Sequence, residues 1–269
     1  MKKAALYFIG LGLYDDQDLS LKALHQLRSC DTIFLEYYTS KLTGSSIQQL
    51  EKNIGKPVTV LNRKETEKGK IILDAAQKKT VGLLVGGDPM IATTHVDLRI
   101  RAHQQGIPTF IVHSSSIVTA VPGLLGLQSY KFGRATTLAY PEKEYFPTSP
   151  YDVIFKNKQD GLHTLVLLDI NTEKNVFMTA HDAITLLLRM EKQKQQQLIT
   201  DTTVLCVVAR AGSSEPVVTA DTIKELLTID FGSPLHTLVV PGSLHFMEVE
   251  ALQHLAGLPQ RCIQYIQKL

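Results

Sequence analysis

The sequence predicts an α/β protein of two domains, an N-terminal parallel-sheet domain over residues 1–130 and a C-terminal mixed-sheet domain over 131–269. Three observations lead there. The first half alternates short β-branched runs with amphipathic helical stretches, a rhythm that builds a parallel sheet covered on both faces. Around Tyr130 to Pro150 the rhythm breaks at Gly133, Pro141, Pro147 and Pro150, which marks a domain junction near residue 130. Beyond it, two strand-like runs flank Ala211-Gly212-Ser213-Ser214-Glu215-Pro216 with turn residues only, so they read as a hairpin in a mixed sheet.

The elements follow in order. Strand-like runs of the first half are Ala4–Ile9, Asp31–Tyr37, Pro57–Leu61, Thr80–Val85 and Thr109–His113. Between them, Asp18 or Ser20 can cap a helix at Leu21–Leu27, whose leucines recur on one face. Further helices read at Ser46–Asn53, Glu65–Lys78 and Ala92–Gln105, the last closed by Gly106. In the second half the strands are Ala135–Tyr140, Thr164–Asp169, Thr203–Arg210, Val217–Thr219 and His236–Val240. Thr179 with Asp182 resembles a capping box before the run Ala183–Met190. The Gln/Lys tract 192–197 reads as a solvated helix end or loop, and no internal repeat is found.

Composition narrows the function. The 269 residues carry 28 Lys+Arg against 26 Asp+Glu, a formal charge of +2. So small an excess gives no long-range field for nucleic acid or anionic lipid. The cysteines Cys30, Cys206 and Cys262 are odd in number and lack a C-x-x-C pair, so neither a disulfide framework nor a zinc site is expected, and a reducing cytoplasm fits. Met1-Lys2-Lys3 before the apolar run Ala4–Leu13 has the look of a signal peptide. However, no small-x-small cleavage site follows, and the run is too short for a membrane span.

Several motifs could carry chemistry. Gly10-Leu11-Gly12 ends the first strand, but the dinucleotide fingerprint wants a third glycine where Asp15 stands. The loop is therefore poorly built for NAD, and a turn without a ligand is the competing reading. Gly86-Gly87-Asp88-Pro89 follows the fourth strand at the sheet's carboxyl edge, where open α/β sheets bind ligands. Pro89 biases Asp88 toward an extended backbone that projects its carboxylate away from the next helix. The bland alternative is a turn and helix cap. Together the two loops define a cleft edge with one carboxylate and much exposed backbone, suited to a neutral or cationic nucleoside. No P-loop occurs. Ser114-Ser115-Ser116 reads as a capping cluster, a nucleophile or a ligand loop, without the G-x-S-x-G of a hydrolase. No histidine pair has metal-ligand spacing, so no metal is expected. His95 and His236 are the histidines that border the expected cleft.

The segments Tyr7–Asp15, Gly87-Asp88-Pro89 with Ala92-Thr93-Thr94-His95, Tyr130-Lys131-Phe132-Gly133 and Phe146-Pro147-Thr148-Ser149 form a set with Gly161-Leu162-His163-Thr164, Ala209–Ser213 and Pro241–His245. By these segments the chain resembles, over essentially its whole length, the protein-modifying methylases of diphthamide biosynthesis within the tetrapyrrole-methylase superfamily. The strand-end glycines and the G-D-P loop are common to the superfamily. The A-T-T-H and F-P-T-S stretches separate the protein methylases from the pigment enzymes. The resemblance implies a two-domain homodimer that uses S-adenosylmethionine to methylate the amino group of a modified histidine on the translation elongation factor, with its site in the cleft between the domains. It implies cofactor contacts at Leu13, Asp88, Ile91, Ser116, Ile117, Leu168, Ala211 and His236, and assigns no catalytic residue; a cleft group such as His95, or water, could take the proton of the incoming amine. The alternatives are a methyltransferase of a corrin or porphyrin precursor and a non-catalytic nucleotide-binding regulator.

Overall fold

The computed structural model describes residues 4–141, 145–172 and 174–266, so Met1-Lys2-Lys3, the charged start of the signal-like segment, lies outside the described residues. The chain divides into two compact units. The first comprises residues 1–117 with 170–176 and 212–214, and the second comprises 118–169, 177–211 and 215–269. The main division therefore falls after Ile117 rather than near residue 130.

In the first unit five strands, β1 (Ala5–Gly10), β2 (Thr32–Glu36), β3 (Thr59–Leu61), β4 (Thr80–Val85) and β5 (Thr109–Val112), form one sheet in the order β3-β2-β4-β1-β5. Every pairing is parallel. Strand alternation sorts the side chains onto two buried faces. Ile9, Ile33, Leu35 and Leu84 pack with Leu27 of α1 (Leu21–Ser29) and with Leu50 and Ile54 of α2 (Ile47–Ile54). On the other face, Leu6, Phe8, Phe34 and Leu83 pack with residues of two later helices. The apolar Ala4–Leu13 run thus contains β1, a strand with neighbours on both sides.

Local chemistry fixes the helix ends. Ser20 caps α1 by accepting the Ala23 N–H, and Ser46 caps α2 by accepting that of Gln49. The expected helix Glu65–Lys78 is two helices, α3 (Arg63–Lys68) and α4 (Lys70–Ala76). They part at Gly69, whose φ of +64° ends the first by a left-handed cap. The expected helix at Ala92 begins only at His95, as α5 (His95–Gln104), because Ala92 itself has φ +54°.

The second unit opens with α6 (Ile117–Leu125, starting at the last residue of the first unit), followed by β6 (Thr136–Leu138), α7 (Ser149–Gln159) and β7 (Thr164–Leu168). The proline-rich stretch is partly helical: Pro150 stands in the first turn of α7, where its missing N–H costs nothing. Two short strands, β8 (Ile170–Asn171) and β9 (Val176–Phe177), pair with each other and, apart from Phe177, belong to the first unit. Next come α8 (Ala180–Lys194), β10 (Val204–Ala209), β11 (Val217–Thr222), α9 (Ile223–Leu226), β12 (His236–Val240) and α10 (Phe246–Leu255). Thr179 and Asp182 form the expected capping box of α8. The second sheet runs β11-β10-β12-β7-β6. Its β10–β11 hairpin is antiparallel while β6–β7 is parallel, so the sheet is mixed as expected. Among the described residues no helix is long and apolar enough to cross a membrane.

Candidate functional site

In the first sheet the chain leaves β1 toward β2 on one side and leaves β4 toward β5 on the other, crossing opposite faces. The carboxyl ends of β1 and β4 are therefore the topological switch point, where an open α/β sheet receives its ligand. The two glycine loops meet there. Leu11 donates its N–H to the Val85 carbonyl at 2.8 Å, and Gly12 and Gly87 exchange backbone hydrogen bonds of 3.3 and 2.8 Å. Gly10 is needed for this approach: a Cβ on it would stand 2.5 Å from the Gly87 oxygen and 2.6 Å from the Ser114 Cβ. At Gly87, φ +71°, a Cβ would meet only the Ser115 oxygen at 3.9 Å, so the crest of the loop is open.

The loop after β1 has filled its own anion site. Asp18 Oδ2 accepts the N–H groups of Leu13 at 3.0 Å and Tyr14 at 2.6 Å. Asp15, at the place of the missing third glycine, caps a short 3-10 turn through the Gln17 N–H. Donors that a dinucleotide fold turns toward pyrophosphate are here satisfied by carboxylates. Residues 10–18 and 86–94 contain four aspartates and no lysine or arginine, which favours a cationic or neutral ligand over a phosphate.

Asp88 is buried, but its carboxylate does not project away as its sequence context suggested. It turns back to accept the Met90 N–H at 3.0 Å and the Ser114 N–H at 3.2 Å, and it meets His113 Nδ1 at 2.8 Å. The Asp-Pro step places Met90 N–H within reach of its own loop carboxylate, an Asx turn. Asp88 thereby ties the β4 loop to the β5 loop and keeps some acceptor capacity for a ligand.

His95 does not border the open edge. It is 2% exposed, with Nδ1 3.0 Å from the Pro89 carbonyl and Nε2 3.5 Å from Oε1 of Glu36, which is fully buried at the end of β2. Burial raises the Glu36 pKa, against hydrogen bonds from Thr39 and Tyr38 and the nearby imidazole. The second acceptor of this site, Glu36, was missed in the sequence reading; its signal was a carboxylate inside the apolar run Ile33-Phe34-Leu35-Glu36.

Of the eight expected contacts, Leu13, Asp88, Ile91 and Ser116 lie on the loops that follow β1, β4 and β5, and Ile117 opens α6 directly after the last of these. Ile91 is 43% exposed at the loop crest, whereas Ser116 is buried. The other three gather at one end of the second sheet: Leu168 ends β7, His236 opens β12 and pairs with Ala209, and Ala211 follows β10. The β7–β12 register, Val166 opposite Leu238, carries on to bring Leu168 level with His236. The imidazole of His236 is already committed. Its Nδ1 accepts the Ala180 N–H at 3.1 Å, which makes Nε2 the donor to the Ser233 carbonyl at 3.1 Å. Burial lowers its pKa, so it is neutral near pH 7.

The segments Tyr130–Gly133, Gly161–Thr164 and Pro241–His245 converge on a buried cluster around Glu248, a residue outside every segment singled out from the sequence. Glu248 accepts from Lys131 Nζ at 2.5 Å, from the N–H groups of Gln128 and His245 at 2.9 Å each, and from His163 Nε2 at 3.0 Å. His163 Nδ1 in turn accepts the Gly242 N–H at 3.0 Å.

Comparison with known proteins places this arrangement. Residues 5–227 match the family described as Tetrapyrrole (Corrin/Porphyrin) Methylases. A curated protein named diphthine synthase from Methanothermobacter thermautotrophicus is 48% identical over 259 residues, covering 96% of this chain and 98% of that one. Another from Methanocella arvoryzae is 49% identical over 257 residues, covering 94% and 98%. A solved structure described as diphthine synthase superposes with a TM-score of 0.89 at 39% identity, covering 97% of this chain and all of that one.

Proposed function

This chain belongs to the tetrapyrrole methylase family and is a methyltransferase of diphthamide biosynthesis; from that premise we propose that its methyl donor, S-adenosylmethionine, meets the loops at the carboxyl ends of β1 and β4. The observation that carries this reading is the Gly12–Gly87 junction at the switch point, flanked by carboxylates and no cation. Such an edge suits a nucleoside bearing a sulfonium. The proposed contacts are Leu13, Asp88, Ile91, Ser116, Ile117, Leu168, Ala211 and His236. The donor supplies an already activated methyl group, so the protein need provide no covalent help.

The residues then have positional work. Gly10 lets the two loops close on each other, Gly12 leaves room for Asp18 within its own loop, Asp88 sets the shape of the β4 loop, and Leu13, Ile91 and Ile117 offer apolar surface that excludes water. Transfer to an amine needs in-line approach at ~3–3.5 Å with the amine unprotonated. The neutral state of His236 avoids a positive charge beside a cationic ligand. His95, enclosed by Pro89 and Glu36, is not the base that the sequence reading offered.

For the acceptor we propose the amino group of a modified histidine on the translation elongation factor, in a homodimeric enzyme of the cytoplasm. The names of the relatives support the acceptor, and the buried thiols Cys30, Cys206 and Cys262 suit a reducing compartment. Incubation with methyl-labelled S-adenosylmethionine and either the precursor-modified factor or a corrin or porphyrin precursor tests the reading. Label on the factor is expected. Label on the pigment, or bound donor without transfer, would replace it with one of the two alternatives. Light scattering tests the dimer.

A further inference from the structure

The Pro89 carbonyl accepts from two side chains of the segment that follows it, the Thr93 hydroxyl at 2.9 Å and His95 Nδ1 at 3.0 Å. A carbonyl can only accept, so Nδ1 carries a hydrogen. The remaining ring nitrogen, Nε2, has no hydrogen-bond partner and faces Glu36 Oε1 at 3.5 Å. Among the described residues the Glu36 carboxylate accepts three hydrogen bonds, from the Tyr38 N–H at 3.0 Å, the Thr39 N–H at 3.1 Å and the Thr39 hydroxyl. The pair is as buried as any in the unit, at 2% and 0% exposure. A nitrogen lone pair facing an ionised carboxylate oxygen there would be two acceptors without a proton between them, a costly arrangement. One proton held between Nε2 and Oε1 removes that cost, whether it resides on nitrogen or on oxygen.

We propose that His95 and Glu36 form a positioning pair in which one proton held between Nε2 and Oε1 fixes the imidazole, so that Nδ1–H grips the Pro89 carbonyl and sets the Gly86–Thr94 loop in the shape that receives the methyl donor. The pair joins the end of β2 to the start of α5, and what it spans is the loop crest, with Ile91 exposed and Ala92 held at φ +54°. An alanine resists that backbone conformation, so the anchors on either side are what maintain it. A second link runs parallel, from the Tyr38 hydroxyl to Thr94 Oγ1 at 3.0 Å. His95 touches no reacting atom in this account. It acts through the loop.

The proposal rests on the S-adenosylmethionine reading above, and the test separates the two. Nitrogen-detected NMR of the His95 ring in the wild-type protein reports the tautomer without any ligand: a protonated Nδ1 is expected, and a ring protonated only at Nε2 overturns the pair. Calorimetric titration of S-adenosylmethionine then compares His95→Phe with His95→Asn, whose amide nitrogen lies near the place of Nδ1. His95→Phe is expected to bind about tenfold more weakly, the effect of one lost buried hydrogen bond, with KM for the donor rising more than kcat falls. His95→Asn is expected to recover most of that affinity. Wild-type affinity in His95→Phe overturns the positioning role alone, as does an equal loss in both variants. If the wild-type protein binds no donor, the cofactor reading falls and the positioning role falls with it.

Discussion

Each unit buries a histidine against a glutamate, and the two pairs are built differently. In the second unit Glu248 accepts four hydrogen bonds, His163 is satisfied at both nitrogens, and Lys131 supplies a compensating charge as well as donating to the Ser243 carbonyl at 2.5 Å. In the first unit His95 keeps one ring nitrogen without a hydrogen bond, and no lysine or arginine pairs with Glu36 among the described residues. A buried polar network that is complete rigidifies its surroundings. The complete network stitches the segments around Lys131, His163 and Gly242 to the first turn of α10. The first-unit pair, closed only by the shared proton proposed above, lies beneath the loop proposed to meet the methyl donor.

The largest effect that would break this contrast is on stability. Glu248→Ala strips the partner from Lys131 and leaves the Gln128 and His245 N–H groups without acceptors, so we expect a loss of ~3–5 kcal/mol in denaturant unfolding. A change of only a few tenths would show the cluster to be dispensable.

Acid sharpens it further. Burial alone would raise the Glu248 carboxyl, but the hydrogen bonds from Lys131, Gln128, His245 and His163 outweigh it and hold the group at about 2 against an ordinary 4.5. A lowered carboxylate pKa contributes stability that is fully present above the unfolded value and lost as pH falls through the folded one. The cluster should therefore lose stability between pH 4.5 and about 2, by ~3 kcal/mol in total. His163, its pKa lowered by burial, adds a loss that sets in as pH falls below its ordinary 6.5. Glu36, raised by burial, runs the opposite way, its contribution being complete below the unfolded value and lost as pH rises. Thermal melts across this range should show a net fall in acid.

A smaller effect belongs to Asp88. Because its carboxylate caps the Met90 and Ser114 N–H groups, Asp88→Ala should lower stability by ~1–2 kcal/mol. It should also weaken S-adenosylmethionine binding about tenfold, since the loop loses its tie to β5. A lowered melt with unchanged affinity would leave Asp88 a structural cap alone. The smallest effect is a control away from both clusters. A Cβ on Gly123, exposed within α6, meets nothing within 4 Å, so Gly123→Ala should stabilise by ~0.5–1 kcal/mol and leave binding untouched.

Much of the fold was legible in the sequence because the strands of the first unit alternate two buried faces and two of them, β1 and β4, end in glycine loops. Where a breaker acts through backbone conformation the reading failed: Gly69 divided one expected helix and Ala92 delayed another. That the loops after β1 and β4 share one edge of the sheet was legible from Gly10, Gly12 and Gly87 at strand ends. The site's internal wiring was not, since Asp88 and His95 take their partners from Ser114 and Glu36, which only the folded sheet brings near. His163 stood within a quoted segment, yet its partner Glu248 lies far along the chain in an ordinary helical turn, and nothing local announces it.

The most direct test of this division of labour is calorimetric affinity for S-adenosylmethionine, measured side by side on folded His95→Phe and Lys131→Met, each with its melting temperature. The account predicts weakened binding with a modest stability change in His95→Phe, and wild-type binding with a clearly lowered melt in Lys131→Met. The reverse pattern, with affinity lost at Lys131 and kept at His95, would contradict it.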